Sequence, residues 1–102
     1  MNKSLRIVAT TPWAEQYGGI EGALYIKLAI DMFKKHNRDM FVFEFKNGQM
    51  IVRCAGYVMG TEDLDETTIA YKTASLEFKT FWFKIDDMGN EYVGTLLFPE
   101  DY

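Results

Sequence analysis

The sequence contains one imidazole and one thiol, and these are the first side chains to consider for acid–base or nucleophilic chemistry. His36 is the only histidine and Cys54 the only cysteine among the 102 residues. A catalytic base needs a group that orients it and a nucleophile within reach, and near His36 only Asp39 could contribute to such a set. We therefore expect His36 to lie in solvent at the negative end of a helix, and Cys54 to be an inert core residue.

Four carboxylates in the connection 60–66 could bind a divalent cation through oxygen ligands. Their spacing differs from that of an EF-hand loop, which needs alternating ligands and a central glycine. One cysteine and one histidine are too few ligands for the usual transition-metal sites. We predict a solvated acidic loop that binds no metal. If the loop has a functional ligand, we expect that ligand to be a basic protein surface. The four carboxylates are Glu62, Asp63, Asp65 and Glu66.

Two motifs suggest phosphate binding only weakly. The glycine-rich segment 18–22 precedes a predicted helix, but it lacks the Lys-Ser/Thr pair of a P-loop and the full dinucleotide fingerprint. We therefore predict no nucleotide cofactor. The helix also carries a small basic group without interleaved aromatic residues, and direct nucleic-acid binding is not expected from it. The basic residues are Lys27, Lys34, Lys35 and Arg38.

Charge is distributed unevenly along the chain, whose net charge is −4. Residues 1–54 carry eight Lys or Arg against five Asp or Glu, whereas residues 55–102 carry three against ten. The acidic second half repels phosphates, which again disfavours nucleic acid as a direct ligand. It favours encounter with a basic protein partner.

The main structural element is a helix predicted over Ile20 to His36. A short strand over Leu5 to Thr10 and an irregular turn over 12–19 precede it, since the adjacent Gly18 and Gly19 would interrupt a helix. Most apolar residues of the helix form one broad stripe, but Leu24 and Leu28 fall outside it. Either more than one side of the helix is covered, or part of it meets a partner. The stripe comprises Tyr25, Ile26, Ala29, Ile30, Met32 and Phe33.

The clearest segment is a hairpin in which two alternating strands, 40–46 and 49–55, flank the turn Asn47-Gly48. A two-residue turn places three cross-strand pairs on one face, which we expect to pack on the helix. These pairs are Phe45 with Met50, Phe43 with Val52, and Phe41 with Cys54.

The C-terminal part predicts further strands with apolar residues on both faces. Residues 67–85 lack glycine and proline and are long for one strand, so they predict a strand with a bulge or bend near 72–75, at which it can break in two. A turn over 86–90 and a last strand over 91–98 follow. One face must cover the helix. The other must be covered by the segment around Trp13 and Tyr17, by a second copy of the chain, or by another protein.

Together these elements predict one α+β domain over residues 1–102. A single helix packs on a four- to five-stranded antiparallel sheet, in the order β-α-β-β-β-β. In element order alone this resembles cystatin-like folds, in which a four-stranded antiparallel sheet wraps a helix; the likeness implies no activity and no site residues. The lone cysteine, the absence of a signal-peptide pattern and the lack of an apolar run of about 18 residues predict a reducing, cytoplasmic location.

These features favour a non-catalytic protein-binding module over an enzyme. We expect a small acidic inhibitor or regulator of a larger basic protein, such as one that acts on nucleic acid. Toxin-immunity proteins and phage proteins that act against host systems often have this size and charge. The alternative is a homodimer with a small-molecule pocket between helix and sheet. The predicted partner-binding residues are Glu62, Asp63, Asp65, Glu66, Trp82, Asp86, Asp87, Glu91 and Tyr92.

Overall fold

The computed structural model describes residues 4–46, 49–58, 67–72 and 79–101. It confirms the α+β class, with one main helix after the first strand and the remaining strands after that helix. The strands are β1 (Ser4–Ala9), β2 (Arg38–Lys46), β3 (Gln49–Val58), β4 (Thr67–Lys72), β5 (Phe81–Asp87) and β6 (Glu91–Leu97). The helices are α1 (Thr11–Gln16) and α2 (Ile20–His36), and a 3-10 turn covers Pro99–Asp101.

The strands form one sheet in the order β1-β6-β5-β2-β3-β4. The segment predicted as a long strand with a bend or break is two strands, β4 and β5, which pair with opposite edges of the β2–β3 hairpin. This arrangement satisfies the backbone groups at both hairpin edges, whereas a single long strand would satisfy only one edge. The sheet therefore has six strands rather than the four or five expected.

The pairing of β1 with β6 is parallel, although the sequence predicted antiparallel pairing throughout. A hydrogen bond from the Thr10 N–H to the Leu96 carbonyl (2.9 Å) continues this contact beyond β1. The Thr10 hydroxyl also donates to Asp101 Oδ2 at 3.1 Å. The sheet therefore has two more strands than the four of the cystatin-like arrangement, and one of its strand pairs is parallel.

The β2–β3 hairpin has the predicted register, with Phe45 opposite Met50 and Phe43 opposite Val52. Its inward face packs on α2, in which five residues on the side facing the sheet are buried: Gly22, Tyr25, Ala29, Met32 and Phe33.

The predicted bounds of α2, Ile20 to His36, are confirmed. The helix begins after Gly19, and it is followed by Asn37, a left-handed residue with φ 51°.

The irregular turn predicted over 12–19 is wrong for its first part, because residues 11–16 form the short helix α1. Thr10 caps this helix by accepting a hydrogen bond from the Trp13 N–H, at 3.4 Å. Trp13 and Tyr17 are buried, and their ring centroids lie 5.6 and 5.5 Å from that of Phe81. Tyr25 of α2 contacts the same ring at 5.4 Å, so this segment lies on the helix side of the sheet. Trp13 and Tyr17 therefore do not cover the opposite sheet face.

Candidate interaction surfaces

The end of the β5–β6 hairpin brings together four of the predicted partner-binding residues. Asp87 pairs with Tyr92, and Asp86 and Glu91 are adjacent to this pair. The turn between the strands is fixed by two hydrogen bonds: the Met88 N–H donates to the Glu91 carbonyl, and the Gly89 N–H donates to Asp87 Oδ1, each at 2.9 Å. Gly89 has a φ of 90°, which suits glycine. The predicted residues Glu62, Asp63, Asp65 and Glu66 lie outside the described residues.

Two carboxylates of this hairpin end have cations of the same chain beside them. Lys84 Nζ lies 2.8 Å from Asp86 Oδ1, and Arg6 Nε lies 2.7 Å from Glu91 Oε1. Exposed ion pairs of this kind contribute only about 0–1 kcal/mol to stability, so a partner's cations can replace them at low cost. They nevertheless weaken the negative field of the hairpin in the free protein.

The two predicted aromatic anchors lie on opposite faces of the sheet. The half-buried Tyr92 faces α2, and its ring meets that of Phe33 edge to face at 5.4 Å. Trp82 alternates with the inward Phe81 and Phe83, so it lies on the other side, which we call the outer sheet face. One partner surface therefore cannot contact both aromatic side chains from the same direction.

The outer sheet face has an apolar row surrounded by ion pairs. Trp82 is half-buried between Val42 and Leu97, its neighbours on the adjacent strands. Val42 and Leu97 are themselves buried, with 6% and 5% of their surfaces exposed, so Trp82 is the member of this row that keeps partial exposure. A third ion pair, Arg53 with Glu44 at 3.4 Å, joins the two described above on this face. Each pair is neutral, and the face gains no net charge from them.

A further apolar surface lies on α2, away from the core. Ile20 is 84% exposed and Leu24 is 63% exposed. A signal for this surface is present in the sequence, since Leu24 falls outside the apolar stripe, but neither Ile20 nor Leu24 is among the predicted site residues. Arg38, which the sequence grouped with the helix lysines, is only 8% exposed at the start of β2 and does not belong to their surface.

The predicted position of Cys54 agrees with the structure, whereas that of His36 does not. The expectation that His36 lies in solvent is wrong: it is half-buried, and its buried Nε2 atom has no hydrogen-bond partner among the described residues. Cys54 faces Phe41 in the core as predicted and is fully buried. Burial raises the pKa of the Cys54 thiol, and the positive charge of Arg38 opposes this shift to a smaller extent.

We expect the Cys54 thiol to be unreactive in the folded protein, because it is both protonated and inaccessible. Ellman's reagent at pH 8 should label less than about a tenth of the protein in minutes without denaturant, and all of it in unfolding concentrations of urea. Rapid stoichiometric labelling of the native protein would contradict the core position of Cys54.

The space between α2 and the sheet is occupied by packed aromatic rings. Phe43 and Phe81 stack with their centroids 4.7 Å apart, and Tyr25 contacts Phe81 from the helix. The Tyr17 hydroxyl accepts from the Lys79 N–H at 2.9 Å and donates to the Lys79 carbonyl at 3.1 Å. These contacts occupy the part of the helix–sheet interface around Phe81.

The chain matches no protein-family model, no curated protein and no solved structure. Among the described residues, neither helix is long and apolar enough to cross a membrane.

Proposed function

We propose that this protein is a non-catalytic binding module, a small acidic inhibitor or regulator of a larger protein with a basic surface. The observation that carries the proposal is the composition of the hairpin tip, by which we mean Asp86, Asp87, Met88 and Glu91. Three carboxylates there adjoin a methionine whose surface is 60% exposed. Exposed methionine is common at protein-binding surfaces, because its flexible side chain adapts to a partner.

The rigidity of the hairpin tip supports the same proposal. The two hydrogen bonds across the turn and the pairing of β5 with β6 hold the carboxylates in fixed positions before a partner arrives. Preorganisation reduces the entropy lost on association. The negative charges would speed encounter with a basic surface, and Met88 would supply apolar contact once the surfaces meet.

We expect the double variant Asp86→Asn and Asp87→Asn to associate with the partner about fivefold more slowly, with a weaker dependence on salt. Asparagine keeps a side-chain oxygen to accept the hydrogen bond from the Gly89 N–H, so the turn is retained. Native mass spectrometry of the protein purified from its source cells identifies the partner, and surface plasmon resonance between 50 and 300 mM salt measures the association rate constant.

The matched control is Glu15→Gln with Glu100→Gln, which removes two exposed negative charges elsewhere on the described surface. Its association rate constant should stay within about twofold of the wild-type value. If both double variants slow association equally, general charge rather than the hairpin tip governs binding.

A second candidate function is homodimerisation through the outer sheet face. The specific observation is that Trp82 keeps partial exposure among ion pairs that are internally neutral, so two copies of an otherwise acidic chain could meet there without strong repulsion. A native mass of two chains that returns to one chain in Trp82→Glu would support this function. A single-chain mass at micromolar protein would count against it.

A further inference from the structure

The solvent-facing side of α2 is divided into an apolar end and a basic end. Seven exposed residues fall within an arc of about 120° around the helix, opposite the residues that face the core. They define the α2 outer face: Ile20, Ala23, Leu24, Lys27, Asp31, Lys34 and Lys35.

The apolar end of this face makes little contribution to the core. Ile20 and Leu24 are one turn apart, so their side chains are neighbours on the helix surface. Both are largely exposed, although the outward positions of a surface helix are ordinarily polar. The helix already buries five residues on its other side, and folding therefore does not explain the two large apolar side chains.

The net charge of the α2 outer face is opposite in sign to that of the whole chain, because of the lysines at its basic end. Three lysines against one aspartate give the face a charge of +2, whereas the chain carries −4. Lys34 and Lys35 suit the negative end of the helix dipole, but Lys27 lies near the middle of α2. In the part of the chain that the structure describes, none of the three lysines forms an ion pair.

We propose that the α2 outer face docks an acidic amphipathic helix of a partner protein. Apolar side chains of that helix would cover Ile20 and Leu24, and its carboxylates would lie opposite Lys27 and Lys34. The face is about 22 Å long and one helix wide, which matches a helix of about four turns. This surface shares no residue with the hairpin tip and has the opposite charge, so the inference does not depend on the function proposed above.

A second copy of the chain fits this face less well. Antiparallel overlap along its whole length would set the lysines of one copy on the apolar end of the other, where a charge is costly to bury. Overlap limited to the apolar ends would bury only two turns of each helix, far less area than a stable interface needs. Nucleic acid would match the lysines but would leave Ile20 and Leu24 against phosphates.

Photo-cross-linking of the full chain in its source cells tests the proposal. Benzoylphenylalanine in place of Leu24 should give a light-dependent adduct with one protein, at a segment that carries Asp or Glu and apolar residues at helical spacing. The same group in place of the exposed Glu15 on α1 is the positional control and should not give that adduct. Unchanged melting temperatures show that both labelled chains are folded.

The second measurement uses the recombinant protein found in the adduct. Lys27→Glu with Lys34→Glu should weaken its binding at least tenfold, and reversal of the partner's facing carboxylates to lysine should restore most of the affinity. The hairpin variant Asp86→Asn with Asp87→Asn should not change the affinity of this contact. Failure of the hairpin-tip proposal and failure of this one are thereby distinguished.

Four results would overturn the proposal: no adduct at position 24, an adduct with a second copy of the chain, an adduct with nucleic acid, or an adduct with a basic segment. Binding that is unchanged by the lysine reversals would overturn it as well.

Discussion

Replacement of Phe81 by alanine is expected to lower the free energy of unfolding by about 3–5 kcal/mol, the largest effect of any single substitution considered for this protein. The Phe81 side chain is fully buried, and among the described residues its ring touches rings from four other positions. Its centroid distances are 4.7 Å to Phe43, 5.4 Å to Tyr25, 5.5 Å to Tyr17 and 5.6 Å to Trp13. Truncation would leave a cavity between α1, α2 and the sheet, which rigid neighbouring rings cannot easily fill.

The adjacent Trp82 provides the control for this prediction. Trp82→Ala removes a larger side chain from the same strand, but one that lies on the outer sheet face and is only half-buried. We expect a loss of about 2 kcal/mol or less. Equilibrium urea unfolding followed by circular dichroism measures both variants. An equal loss in the two would show that Phe81 is not at the centre of the core.

The second large effect concerns Gly22, which lies in the first turn of α2. Alanine is ordinarily favoured over glycine in a helix by about 1 kcal/mol. At position 22, however, an added Cβ would lie 1.7 Å from the carbonyl oxygen of Tyr17. Because that atom belongs to the backbone, α2 and the segment before it would have to separate. We expect Gly22→Ala to destabilise the protein by about 2–3 kcal/mol.

Ala23→Gly is the matched control, since residue 23 is the exposed neighbour of Gly22 in the same turn. It should cost only about 1 kcal/mol, the ordinary difference in helix propensity. Thermal unfolding and urea unfolding should rank the two variants in the same order. A stabilising Gly22→Ala substitution would mean that α2 and Tyr17 are not in close contact.

Predictions from the sequence succeeded where the signal was local. The turn predicted at Asn47-Gly48 lies outside the described residues, but together with the alternation on either side it predicts the register observed for β2 and β3, including the pair Phe41 and Cys54. The bounds of α2 follow from Gly19 before it and Asn37 after it. Each of these features depends on residues that are close together in the chain.

The predictions that failed depend on contacts between distant parts of the chain. Nothing in the residues of β1 indicates that it pairs with β6, and nothing in 67–85 shows that β4 and β5 take opposite edges of one hairpin. The same limit applies to the charge of the candidate site. The acidic hairpin turn is evident from the sequence, but the ion pair that partly neutralises Glu91 comes from Arg6, 85 positions away in the chain, and could not be predicted.

The parallel pairing of β1 with β6 also determines when the sheet can be completed. During synthesis, α2 and the β2–β3 hairpin emerge early and can form from neighbouring residues. The partner of β1 is the last of the described strands to leave the ribosome, and the hydrogen bond from Thr10 to Asp101 forms later still. β1 therefore has no strand partner until almost the whole described chain has been synthesised. During this interval its partly apolar residues are unpaired, and a nascent copy is then most prone to aggregation.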